Sequence, residues 1–221
     1  SQMDTYVDGY AGIGVWRAAF KPLVDRIADT DIRLQWFCCD RSTGVTDASG
    51  KRVTLIRDTK YPVSVEYQTV KFIGTGRDNI KAGVFSGWEL GDYIYLRSEE
   101  AYMIKMEALA HKGSADAITE LNSFMKTRQP DYNYTFTNKA DLIEEIIYQK
   151  RVEFWGEGLE YIDNRRLNIP VDRTDETWGA ENNNHFSAGK FRYNQEERPF
   201  LYQLPLSEIE NNSQLSPTDQ N

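Results

Sequence analysis

Glu153 and Glu157 stand four residues apart across a Gly-Glu-Gly break, and Asp163 follows shortly after. A retaining glycosidase needs two carboxyl groups about 5 Å apart, so this trio is the chain's opening for acid–base chemistry. Basic residues crowd it, with Lys150 and Arg151 before and Arg165 and Arg166 behind. Carboxylates flanked in this way are expected to form ion pairs that hold a helix turn. Neither a Gly-x-Ser-x-Gly elbow nor a P-loop is present, and Gly74-Thr-Gly76 lacks the third glycine and the following helix of a dinucleotide fingerprint. Two histidines, His111 and His185, and the adjacent Cys38 and Cys39 have no zinc-ligand spacing. Neighbouring cysteines also disfavour a disulfide. No catalytic set, metal or cofactor is expected.

Aromatic rings are the other candidate chemistry. An indole presents a flat apolar surface that suits the ring face of a sugar, while Asn, Asp and Arg nearby can bond its hydroxyls. Five Trp, thirteen Tyr and ten Phe make up 13% of the 221 residues, a high share for an acidic chain of mean hydropathy -0.63. Trp16 follows Gly12-Ile-Gly14, and Trp88 and Trp178 lie in Gly- or Asn-rich stretches. These three are the stacking candidates. Trp36 ranks below them because it stands in the apolar run Leu34 to Cys39, and Trp155, on a helix face, is expected in the core.

The elements that would carry these residues are mostly helical. Phe20, Leu23, Val24 and Ile27 recur at three-to-four spacing and predict a helix reaching towards Thr30. Residues 40 to 60 read as a loop or hairpin excursion, 61 to 72 as an extended segment, and 74 to 91 as a glycine-rich loop. Ser98 is expected to cap a helix over 99 to 112, with Ala101, Ile104, Ala108, Met106 and Leu109 inward and Gly113 as its left-handed stop. Ser114 opens a second helix with Ile118, Leu121 and Met125 on one face, stopped by Pro130. The resulting pair, about 98 to 129, has close to tetratricopeptide spacing, but no second copy occurs and stacked repeats need roughly three. Asn138 caps a third helix, about 139 to 155, with Leu142, Ile143, Ile146, Ile147 and Phe154 inward and Glu144 and Glu145 outward. A continuation from Leu159 ends near Asn168, residues 171 to 198 have loop composition, and 207 to 221 form a polar tail.

Charge and hydropathy narrow the setting. Lys and Arg total 26 against 34 Asp and Glu, a net charge of -8, which leaves no general field to attract nucleic acid. The longest apolar runs fall far short of the roughly 20 residues that cross a bilayer. No export signal is expected within the chain.

Several of these segments carry a resemblance. Leu96-Arg-Ser-Glu-Glu-Ala-Tyr-Met-Ile-Lys-Met-Glu-Ala108 with Ala117-Ile-Thr-Glu-Leu-Asn122, Asp31-Ile-Arg-Leu34, Gln149-Lys-Arg-Val-Glu-Phe-Trp-Gly-Glu-Gly158 with Tyr161-Ile-Asp163, and Leu204-Pro-Leu-Ser-Glu-Ile-Glu-Asn-Asn212 together resemble the SusD/RagB family. The blocks run in the family's order over about residues 31 to 212. Ile32 stands where the family usually has proline, and Asn164-Arg165 replaces a common Leu-Lys or Leu-Arg. Family members are typically more than twice this long, so the resemblance implies a C-terminal portion without its N-terminal half. It also implies a mainly α fold with a tetratricopeptide-like helix pair, long loops and a few short strands, in a single domain over 1 to 221. The function implied is non-catalytic. A Bacteroidetes-type outer-membrane surface lipoprotein, anchored by a lipid outside this chain, would bind glycan and deliver it to a SusC-like TonB-dependent transporter in nutrient uptake. The family's sugar contacts lie in loops outside these blocks, so the resemblance transfers no site residue. Two rival readings are a glycoside hydrolase using Glu153, Glu157 and Asp163, and a tetratricopeptide-type scaffold that binds peptides.

Overall fold

The structure is a computed structural model that describes residues 19–38, 67–69, 71, 95–197 and 203–219. Most of the excursion at 40–60, the extended segment at 61–72 and the glycine-rich loop at 74–91 therefore lie outside the described residues. Seven α-helices and four two-residue strands make up the described chain, which clusters into two compact units, 1–157 and 158–221.

In the first unit, Pro22 sits in the first turn of α1 (Lys21–Asp25). The predicted helix is only this long. The chain leaves it through turns to a 3-10 segment, Ile32–Trp36, where Asp31 accepts a hydrogen bond from the Arg33 amide. Strand β1 (Phe37–Cys38) then pairs antiparallel with β2 (Gln68–Thr69), which is what the described part of the extended segment contributes. Val24, Ile27, Leu34, Phe37, Tyr67, Tyr148 and Val152 form one buried cluster, with Trp36 and Trp155 packed against it.

Helix α2 (Ser98–Lys112) is capped by the extended backbone of Arg97 with no side-chain bond, so Ser98 is its first residue and not its cap. Gly113 ends it at φ 72, with its amide on the Ala110 and Leu109 carbonyls, as expected of a left-handed stop. Its buried face is Met103, Met106, Glu107 and Ala110, so the expected face is corrected: Ala101, Ile104 and Ala108 are exposed. The helix carries apolar residues on both sides, and the choice fell to contact with α3 and α4. Helix α3 (Asp116–Met125) buries Ala117, Leu121 and Met125.

Helix α4 (Lys139–Glu153) begins with a full capping box. The Asn138 side chain accepts from the Ala140 and Asp141 amides, and the Asp141 carboxylate accepts from the Asn138 amide. Leu142, Ile146, Gln149, Val152 and Glu153 line its buried side, together with Glu145. Glu144 points outward as expected, but Glu145 is 5% exposed, and the expectation for it is reversed. Arg26, the Tyr132 hydroxyl and Gln149 donate to its two oxygens, which makes burial of the charge tolerable.

The second unit opens with α5 (Leu159–Arg166), entered from Gly158 at φ 89 and left through Asn168 at φ 51. Strands β3 (Val171–Asp172) and β4 (Arg192–Tyr193) pair antiparallel and close the polar stretch between them into a loop. That loop carries α6 (Asp175–Trp178). The tail is not plain coil, since α7 (Leu206–Asn211) forms within it. No helix among the described residues is long and apolar enough to cross a membrane.

Candidate functional site

The carboxylates singled out for acid–base chemistry are consumed in a buried ion network. Glu153 is 1% exposed at the end of α4. Its Oε1 accepts from Arg97 Nη1 and Arg128 Nη2, each at 3.1 Å, and Oε2 from Arg33 Nη1 at 3.4 Å. Burial opposes its charge, but the Arg128 hydrogen bond and the charges of Arg33 and Arg128 outweigh that and hold it below the usual carboxylate range. Arg33, equally buried, clasps Asp31 through Nη2 at 2.7 Å and Nε at 3.1 Å, and also donates to the Gln149 side chain. Arg97 meets Glu157 with a fork of two 2.9 Å bonds. The basic neighbours in sequence are not the partners: Arg33, Arg97, Arg128 and Lys71 reach Glu153 and Glu157 from elsewhere in the chain. Only Asp163 pairs locally, with Arg166 at 2.7 Å.

Lys71 closes the same corner. Its Nζ donates to the Glu153 carbonyl at 2.6 Å, the Trp155 carbonyl at 3.0 Å and Glu157 Oε1 at 2.6 Å, and lies 4.8 Å from the Trp36 ring centre. It thereby satisfies carbonyls left open where α4 ends. Burial pushes its ammonium down to about 8, against the pull of Glu157. An unfolded lysine keeps its proton to about pH 10.4, so between pH 8 and 10 the unfolded chain binds more protons and the Lys71 contribution to stability rises with pH. Urea titrations of the native protein and Lys71→Met at about pH 7 and about pH 9 should show the native protein gaining roughly 1.4 kcal/mol on the variant. A gap that stays constant or narrows refutes this.

Of the stacking candidates, Trp16 and Trp88 lie outside the described residues. Trp178 ends α6 with 37% of its surface open. Its Nε1 donates to the Asp172 carbonyl at 2.9 Å, which fixes the ring plane. The Asp172 carboxylate accepts from the Thr174 amide, the Thr174 and Thr177 hydroxyls and Arg192, and these bonds carry it down to about 2 although burial opposes them. The indole is therefore held on a rigid bracket. Phe186, 75% exposed in the same loop and unnoticed in the sequence, is a further open ring of that unit; an aromatic within a polar stretch without period is the signal it shares with Trp178. Trp36 and Trp155 pack against the core cluster as expected. His185 has a pKa lowered by burial and by the charges of Arg173 and Lys190. Among the described residues no three His, Cys, Asp or Glu side chains group as a metal would require.

Three of the segments that carried the resemblance thus meet: Asp31 and Arg33, Arg97, and Gln149 to Glu157 build the ion network. The family model described as the SusD family matches residues 26–221. The chain belongs to the SusD family. The fold agrees: the crystal structure of a SusD-like carbohydrate binding protein from Bacteroides vulgatus ATCC 8482 is similar with a TM-score of 0.57 over 87% of this chain, at 21% identity. This SusD-family chain spans 40% of the length of that protein. No curated protein matches it. In this SusD-family chain the segments Asp31 to Arg33, Arg97 and Gln149 to Glu157 hold the ion network, and Trp178 and Phe186 lie outside the shared blocks.

Proposed function

We propose that the chain is the C-terminal portion of a surface lipoprotein that holds glycan without cleaving it and passes it to a SusC-like TonB-dependent transporter of the outer membrane. Membership of the SusD family over residues 26–221 carries this reading, and the similar protein from Bacteroides vulgatus is itself described as carbohydrate binding. Trp178 supplies the stacking surface, joined by Trp16 and Trp88. Units 1–157 and 158–221 belong to one such portion. The glycosidase reading is disfavoured because Glu153 and Glu157 spend their oxygens on three arginines and a lysine.

The test is calorimetric titration with a panel of α- and β-linked gluco-oligosaccharides and mannan and pectin fragments. One indole face is worth on the order of 1 kcal/mol, so Trp178→Ala should weaken the best ligand about fivefold while reducing ends stay constant over the incubation. Unchanged affinity removes Trp178 from the site, and release of reducing ends reinstates the hydrolase.

A further inference from the structure

The first unit contains a second place where chemistry and shape coincide. An open cleft of about 340 Å³ lies between the turn after α1, the segment 129–134 and the α4 residues Glu145, Tyr148 and Gln149. That volume is at the small end for ligand sites and suits one sugar-sized ring.

The cleft's aromatic lining is fixed in place. Tyr132 and Tyr134 stack with ring centres 6.5 Å apart and planes 19° from parallel. The Tyr132 hydroxyl is held by Glu145 and the Tyr134 hydroxyl by the Asp141 carbonyl. Arg26 adds no free positive charge, because it lies 3.9 Å from the centre of the Tyr148 ring and pairs with Glu145 at 2.6 Å. Asp31 is likewise answered, by Arg33. Asp131 differs. It is exposed, and its carboxylate takes neutral bonds from the Thr30 hydroxyl at 2.7 Å and from Gln129. No Lys, Arg or His among the described residues pairs with it, so among these residues Asp131 is the cleft carboxylate without a cation. Exposed Asn133 lies beside it with an amide that makes no hydrogen bond among the described residues.

A carboxylate lacking a cation among the described residues, the Tyr134 ring, whose face attracts cations, and an open amide select a particular ligand class. An anionic ligand would be repelled, and a plain hydrocarbon would leave the polar groups unmatched. We propose that this cleft binds a small hydroxylated primary ammonium compound the size of one amino sugar, with Asp131 taking the ammonium and Tyr134 offering its ring. The inference rests on these residues and not on the glycan-stacking role of Trp178.

The experiment is nuclear magnetic resonance titration of the whole chain with glucosamine, glucose and glucuronate near neutral pH, following the amides of 129–134. Glucosamine should bind about three- to fivefold more tightly than glucose, the worth of one exposed charge pair, and glucuronate should bind least. Asp131→Asn should erase the difference between glucosamine and glucose, and Asn133→Ala should weaken both. Equal binding of the two sugars, absence of binding, or a preference that survives Asp131→Asn overturns the proposal. So does a glucosamine isotherm abolished by Trp178→Ala, since the sugar would then sit on the indole. Loss of oligosaccharide binding alone, with the glucosamine preference retained, defeats only the stacking reading.

Discussion

Arg33→Met should lower the unfolding free energy by about 3–5 kcal/mol, the cost of removing one partner from a buried ion pair. Arg33 is 1% exposed, and burial opposes its charge, yet Asp31 and Glu153 keep the guanidinium protonated beyond its ordinary range. Methionine fills similar space, so packing changes little. What remains is Asp31 at 2% exposure without its forked partner, and a Gln149 side-chain oxygen without the Arg33 donor. Glu153 keeps Arg97 and Arg128 and is the less injured carboxylate. Chemical denaturation at constant m-value measures the loss. Adding Asp31→Asn to the variant should restore part of it, because a neutral amide costs less to bury than an unpaired charge. A loss below 1 kcal/mol, or no recovery, would show that water reaches the site and screens it.

Gly158→Val should cost about 3 kcal/mol, the upper end for a side chain forced into a left-handed backbone. Gly158 holds φ 89 at the start of α5, and a Cβ there would meet nothing within 4 Å. The penalty is therefore torsional and not steric with neighbours, which predicts an order. Asn, which tolerates this region, should be mildest, Ala intermediate and β-branched Val worst. Melting temperatures of the three variants give the order directly. If loss instead tracks side-chain volume, with Ala mildest, an unseen neighbour is responsible, and if Val leaves stability intact while glycan binding disappears, the glycine belongs to the site.

Legibility of the fold followed the range of the interactions that decide it. The capping box at Asn138 and the glycine stop at 113 involve residues within a few positions of one another, and both are plain in sequence. Glu145 is not, because it reads like Glu144 until Arg26, 119 residues away, is brought against it. Helix α2 was placed correctly and turned wrongly, since Ala101, Ile104 and Ala108 form as good an apolar stripe as Met103, Met106 and Ala110. The family blocks are legible as patterns, but the meeting of Arg33, Arg97 and Glu153 to Glu157 in one ion network depends on chain crossings that spacing does not encode. For the candidate site, the polar surroundings of Trp178 single it out in the sequence, whereas its bracket depends on the β3–β4 pairing, a long-range event.

The separations within the ion network also bear on how the protein comes apart. Arg33 meets Glu153 across 120 residues, Lys71 meets Glu157 across 86, and Arg97 meets Glu157 across 60. Each contact requires a large loop to close first, so the network is expected to form late and to contribute little to the folding transition state. Interactions absent from that state act on escape and not on arrival. The lost energy in Arg33→Met should thus surface as faster unfolding with a nearly unchanged refolding rate. For a chain proposed to work outside the cell, where proteases sample every opening, the arginines act as a clock that sets how long the native state lasts.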